Sequence, residues 1–429
     1  MRNSHTSIEI MSPVGSYEAL MAAIQSDAGS VYFGIGDMNM RARSSANFTL
    51  KDLEKIAQIC KENNVLSYLT VNTVIYNSEI EKMHILLDAA KKCDISAIIA
   101  SDMAVMNYCK KIGLEIHIST QCNITNIEAV KFYAQFADVV VMARETELKD
   151  IKQIVKQIHE ENICGPKGEL VKVEMFIHGA LCMAISGKCY ISLDNFNYSA
   201  NRGACLQPCR RGYLVKDMDS EIELAIENQY IMSPKDLCTI GFLDKIIDAG
   251  VTVLKIEGRG RSPEYVKMVT QCYREAIASI QSQTYTQEKI ENWTTRLRSV
   301  YNRDFWDGYY LGRKTGEWTQ NYGSQATRTK QYVGKITNYF SKLNVAEIFI
   351  ETNEIVVGDE IMAFGPTSGV VDVKVDEIRV ELKRVEQAAK GMYCSIAMPE
   401  LVRRNDKVYR WVLQHGNTQT QNAQSFTEF

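Results

Sequence analysis

No apolar stretch in this chain of 429 residues is long enough to cross a bilayer, which takes about 20 residues. The longest runs, such as the one at 137–143, fall far short. Residues 1–10 (MRNSHTSIEI) hold neither the apolar core nor the small-residue cleavage site of a secretory leader, so a cytoplasmic protein without membrane contact is expected. Charge of one sign is not in excess either. The net charge of −3 means that any nucleic-acid contact must come from a confined basic patch. With 45% hydrophobic and 24% charged residues, disorder, collagen and coiled coil are excluded. Several chemical motifs are also missing. There is no HExxH and no GxSxG, and neither Gly34-Ile35-Gly36 nor Gly258-Arg259-Gly260 continues to the third glycine of a dinucleotide-binding loop.

What the chain does hold is cysteine, twelve in all. A protein of this size needs no disulfide framework, and cytosolic thiols stay reduced, so a cluster of them points to metal more than to bridges. Cys60, Cys93, Cys109, Cys122, Cys164, Cys238, Cys272 and Cys394 are scattered, several on apolar faces where cysteine packs as a small hydrophobe. Cys182, Cys189, Cys205 and Cys209 instead share a Gly-rich, irregular stretch with spacing C-x6-C-x15-C-x3-C. Four thiolates suit tetrahedral zinc or an iron–sulfur cluster. Only the last pair approaches the close spacing common in zinc sites. Spacing alone therefore leans slightly to the cluster and leaves zinc open.

The first 280 or so residues alternate short apolar runs with amphipathic stretches. The runs lie at 8–11, 31–33, 65–71, 95–100, 114–118, 138–142, 171–177 and 251–256. Most are Val/Ile-rich on both faces, as strands buried in a parallel sheet should be. Helical patterns such as 49–63 separate them, with Thr49 placed to accept a first-turn N–H. Eight strands mostly followed by helices predict an α/β fold, a TIM-like (β/α)8 barrel, over residues 1–282. A Cys-rich insertion at about 179–241 interrupts it, carrying a hairpin (Tyr213–Val215, Ile222–Ala225, Tyr230–Met232). A helical and Gly/aromatic connector follows at 283–327. Then come a small C-terminal all-β barrel domain at 328–413 and a polar, disordered tail at 414–429.

Residues 174–192 (EMFIHGALCMAISGKCYIS) satisfy E-x-F-x2-G-[SA]-[LIVM]-C-x4-G-x-C-x-[LIVM]-S in full. This stretch resembles the signature of the peptidase U32 family, the collagenase-like proteins. Asn201–Arg210, Ser233–Cys238 and Lys255–Arg259 continue the likeness, which covers roughly residues 8–320. Despite the family label, no protease machinery is recognisable. The resemblance is greatest to prephenate-dependent tRNA uridine hydroxylases of the family. It implies a [4Fe–4S] cluster on Cys182, Cys189, Cys205 and Cys209, with Cys238 as substitute for the last. It further implies 5-hydroxyuridine formation at the wobble position, tRNA as partner and prephenate as oxygen donor. A collagenase-like peptidase and a non-catalytic, cluster-binding accessory subunit are the alternatives.

In a (β/α)8 barrel the active site lies at the C-terminal strand ends. Those ends offer Glu174, His178, Arg144 and Glu257 as candidate catalytic groups, and Arg41, Arg43, Asn72, Gln121, Lys255 and Arg259 as candidate substrate ligands. Guanidinium forks match carboxylates and phosphates, so a small anionic co-substrate is expected. Glu174 and His178, four apart on a strand, should face the same side. Arg210 and Arg211 beside Cys209 would face a cluster's charge, an RNA phosphate or only solvent. A related subunit or a second copy of the chain is a further candidate partner.

Overall fold

The computed structural model describes residues 8–43, 48–213, 232–312 and 315–414. In chain order its first half runs β1 (Glu9–Pro13), α1 (Tyr17–Gln25), β2 (Ser30–Gly34), α2 (Leu53–Glu62), β3 (Leu66–Val71), α3 (Ile80–Lys92), β4 (Ala97–Ala100), α4 (Met103–Ile112), β5 (Ile116–Ile118) and α5 (Ile127–Tyr133). There follow β6 (Val139–Val141), α6 (Leu148–Glu160), β7 (Lys172–Gly179), α7 (Ile191–Phe196), β8 (Asp236–Cys238), α8 (Leu243–Asp248), β9 (Val253–Ile256), α9 (Pro263–Gln281), α10 (Gln287–Ser299) and β10 (Phe305–Trp306). Strands β1 to β7 pair in sequence, β7 pairs with β9, and β9 returns to β1. The expected closed, eight-stranded parallel barrel is thus present.

Its strands are short and apolar because both faces are covered; β2 and β4 are buried throughout. The helices present one apolar stripe inward, as with Ile151, Ile154 and Ile158 on α6. Sequence-local chemistry sets their ends. Asp102 accepts from the Ala104 N–H at the start of α4, and Gly113 ends that helix at φ 70°. Thr49 behaves differently from expectation. A short 3-10 turn (Leu50–Asp52) precedes α2, and both the backbone N–H and the hydroxyl of Thr49 donate to the Asp52 carboxylate. The stronger acceptor nearby captures the hydroxyl.

Two strands of the barrel domain escaped the sequence pattern. The three residues of β8 pair antiparallel with the end of β7, and the two of β10 extend that edge. Segments this short show no periodicity. The expected hairpin falls largely on 214–231 and the tail on 415–429, both outside the described residues.

From Arg328 the chain is antiparallel β: β11 (Arg328–Phe340), β12 (Val345–Ile350), β13 (Glu354–Val356), β14 (Glu360–Gly365), β15 (Gly369–Lys374), β16 (Ile378–Val380), β17 (Lys383–Val385), β18 (Gln387–Ala389), β19 (Tyr393–Ala397) and β20 (Lys407–Leu413). Eight strands form one sheet in the order β15-β14-β20-β11-β12-β19-β16-β17, and β13 pairs with β18. Strand β20, unforeseen from sequence, sits between β14 and β11. A separate core of Val333, Ile336, Ile348, Ile361, Val371 and Val408 fills this domain. It rests on the outer helices α1 and α9 through Gln25, whose amide bonds the Ser368 carbonyl and the Val370 N–H, and through Lys267 to Asp372.

Candidate functional site

At the C-terminal strand ends the barrel opens into a cavity of about 430 Å³, within the usual range for small-molecule sites. Its floor is Tyr32, Thr70, Ile99, Phe176 and Lys255, from five different strands. Its roof is the Cys-rich insertion, and all four clustered cysteines line it. Gly179 makes this roof possible. It leaves β7 at φ +103°, and a Cβ there would stand 2.6 Å from the Glu257 carbonyl oxygen, so only glycine fits.

Arg41, Asn72, Gln121, Arg144, Lys255, Glu257 and Arg259 all line the cavity. Asn72 ties three loops together: its amide donates to Ser119 Oγ (3.1 Å) and Gln121 Oε1 (3.3 Å), and its oxygen accepts from the Met40 N–H. Arg41 holds Glu257 at 2.6 Å. Arg144 donates to the Ala180 carbonyl, lies 3.9 Å from the Phe176 ring centre, and leaves its buried Nε without a partner. Arg259 donates to Thr70 Oγ1 at 2.8 Å. Burial brings its guanidinium down to about 10 and also lowers the Lys255 ammonium. Glu257 is the one carboxylate among the described lining residues. Such a cationic wall fits an anion of low molecular weight.

Burial works to raise the Glu257 carboxyl, but Arg41, Arg144 and Arg261 outweigh it and hold it at about 2. The ordinary value is 4.5, so the charged form stabilises the fold above that pH. The contribution disappears as pH falls from there through about 2. Glu257→Gln should therefore lose about 3 kcal/mol of pH-dependent stability at neutral pH. The gap to wild type in urea denaturation should narrow progressively below pH 4.5.

Three candidates stand elsewhere. His178 does not face the cavity: the β7–β9 register shifts between Phe176 and His178, and this irregularity turns the side chain outward. It packs beside Tyr273 and Phe305, with Nδ1 3.4 Å from the Tyr273 hydroxyl. Burial, with Arg261 adding, lowers its pKa to about 3, so a proton shuttle at the cavity is not its role. The simple alternation that placed Glu174 and His178 on one side fails at this shift. Glu174 lies beneath the floor, fully buried, its Oε1 2.7 Å from Lys255 Nζ. Arg43 is exposed on the rim, 4.3 Å from the Tyr198 ring centre.

Sequence reasoning missed His117. It sits inside the barrel on β5, 3.6 Å from Glu174 and 3.7 Å from Glu115. Burial disfavours its cation, yet the two carboxylates raise its pKa overall. Lys255, Glu174, His117 and Glu115 thus form a charged file descending from the cavity floor. A histidine flanked by isoleucines in a both-faces-buried strand was the available signal.

The four thiols all line the cavity. Burial raises Cys205 and brings Cys209 up to about 11, with the other cysteines acting on both. Among the described residues no three donors lie close enough to hold a single metal ion. Cys238 sits behind the wall, 4.0 Å from the Tyr273 hydroxyl. Arg210 braces the insertion by donating to the carbonyls of Leu181 and Pro234. No described residue of the C-terminal domain lines the cavity. Two of its basic residues are already paired, Lys330 with Glu264 and Lys335 with Glu351.

A closed (β/α)8 barrel with a cationic cavity under a cysteine-bearing roof defines an enzyme-like class of α/β protein. The chain belongs to peptidase family U32, whose model matches residues 15–320. It is 61% identical over 403 residues to a protein of Porphyromonas gingivalis named collagenase, covering 94% of this chain and 97% of that one. A Bacillus subtilis tRNA hydroxylation protein is 30% identical over 366 residues, 83% of each chain. The 23S rRNA 5-hydroxycytidine synthase of Escherichia coli is 34% identical over 274 residues, 64% of this chain and 40% of that protein. Among the described residues no helix is long and apolar enough to cross a membrane.

Proposed function

We propose that this protein is an iron–sulfur-dependent tRNA hydroxylase that forms 5-hydroxyuridine at the wobble position, with prephenate as oxygen donor. The observation that carries the reading is the convergence of four cysteines and four buried or half-buried cations, Arg41, Arg144, Lys255 and Arg259, on one cavity. The names of the Bacillus subtilis and Escherichia coli relatives support RNA hydroxylation as the activity.

Cys182, Cys189, Cys205 and Cys209 would hold a [4Fe–4S] cluster. Four soft sulfur donors lining one cavity are the ligand type such a cluster requires. When bound, it would supply a redox-active centre in the cavity wall. The chain's own residues would do the rest. Arg144 and Arg259 would take the carboxylates of the donor, Arg144 having a buried Nε still unpaired. Asn72 and Gln121, locked through Ser119, would present amide groups to the edge of a pyrimidine. The floor rings Tyr32 and Phe176 would exclude water.

The second reading is a collagenase-like hydrolase, favoured by the name of the 61% identical relative. No histidine stands among the described residues lining the cavity, so its cysteines and serines have no imidazole base there. Nucleoside analysis of tRNA from a strain lacking the gene tests the proposal. Loss of 5-hydroxyuridine and its derivatives is expected; an unchanged nucleoside profile would favour the hydrolase.

A further inference from the structure

The cavity mouth carries an exposed surface that none of this chemistry uses. Tyr190, just before α7, is 74% exposed and lines the cavity entrance. It has no ring partner among the described residues. Met183 and Ile185 beside it are 44% and 47% exposed. Large apolar groups gathered at a cavity mouth mark a binding surface more often than isolated ones do. Two further aromatic rings on the same insertion are each covered by a guanidinium: Arg43 over Tyr198 at 4.3 Å and Arg211 over Phe196 at 5.0 Å. Arg43 and Arg211 are themselves exposed, so each pair sets an accessible guanidinium over a ring.

Exposed cations stand on the same surface. Lys188 and Arg211 are exposed, as is Arg43 over Tyr198, whereas Arg202 is paired with Glu79 and Arg210 bonds the Leu181 and Pro234 carbonyls. The rim therefore combines positive charge with exposed planar groups. Neutral or acidic peptides answer only one of these features. Duplex RNA answers the charge, but its bases are stacked and offer no free faces. An unpaired RNA segment answers both, because splayed bases stack on aromatic rings and guanidinium planes while cations follow the phosphates.

We propose that this rim is the docking surface for a single-stranded RNA loop. Tyr190 stacks on the base everted into the cavity, the Arg43–Tyr198 and Arg211–Phe196 pairs take neighbouring nucleotides, and Lys188 meets the backbone. The inference rests on the RNA hydroxylase reading and names how that substrate is held.

The test measures binding of the full chain to a fluorescently labelled hairpin RNA with a uridine-rich loop, against a blunt duplex of equal length. Circular dichroism confirms the fold of each variant. Tyr190→Ala should weaken hairpin binding about tenfold, while Tyr190→Phe, which keeps the ring, should bind as wild type. Combined Arg43→Ala, Lys188→Ala and Arg211→Ala should flatten the salt dependence by about 2 in log–log slope. Equal binding of hairpin and duplex would overturn the proposal, as would hairpin binding indifferent to these variants. The two readings fail separately. Rim-dependent hairpin binding with an unchanged tRNA nucleoside profile sinks the hydroxylase and spares the surface. Loss of 5-hydroxyuridine with rim-independent binding does the reverse.

Discussion

Alanine at Cys182, Cys189, Cys205 or Cys209 is expected to abolish cluster assembly, one substitution at a time. Wild-type protein reconstituted anaerobically should carry about four iron and four sulfide per chain, with the broad visible absorption of a [4Fe–4S] centre. Each single variant should fall well below one cluster per chain, and RNA hydroxylation should fall with it. Cys238→Ala supplies the contrast, since Cys238 lies behind the barrel wall while Cys209 lines the cavity. It should retain both iron and activity. Stoichiometric zinc without sulfide in freshly prepared protein would replace the cluster by a zinc site. Iron lost from Cys238→Ala but kept in Cys209→Ala would move the fourth ligand.

The second large effect lies in the charged file below the floor. Lys255→Met would leave Glu174, fully buried and 2.7 Å from the lost ammonium, without its nearest cation. His117, 3.6 Å from the carboxylate, would compensate it only in part. Removing one partner of a buried pair costs about 3–5 kcal/mol, so the urea midpoint should drop by a large fraction of the total stability. Replacing both partners is a different case. A Lys255→Met, Glu174→Leu double variant removes both charges and should recover most of the loss. Equal stability of the single and double variants would show that the pair is not coupled. Anion binding in the cavity should stay impaired in both, because the floor cation is missing in each.

The barrel itself was legible in the chain. Strands buried on both faces must be apolar throughout, and each intervening helix must show one apolar stripe. These are local patterns, and eight repeats of them leave few alternatives. The cysteine cluster was equally legible, because four thiols in one irregular loop have no packing explanation. Seven of the ten other candidate residues line the cavity, since strand ends can be read from strand patterns.

What failed depended on geometry finer than pattern. His178 required knowing that the β7–β9 register slips by one position, and no residue type announces such a slip. His117 required knowing which face of β5 points into the barrel. Strands β8 and β10 are too short to show a period, and they form because the end of β7 leaves an edge for β8 to extend.

Sequence alone thus determined the barrel class, the family signature and the four clustered thiols, because each is written in local composition and spacing. Only the tertiary structure decided which charges meet. It set Arg41 against Glu257 and Lys255 against Glu174, turned His178 away, and laid Arg43 and Arg211 over rings of the insertion. Side chains far apart in the chain become neighbours only when the barrel closes, and burial then sets the strength of each encounter.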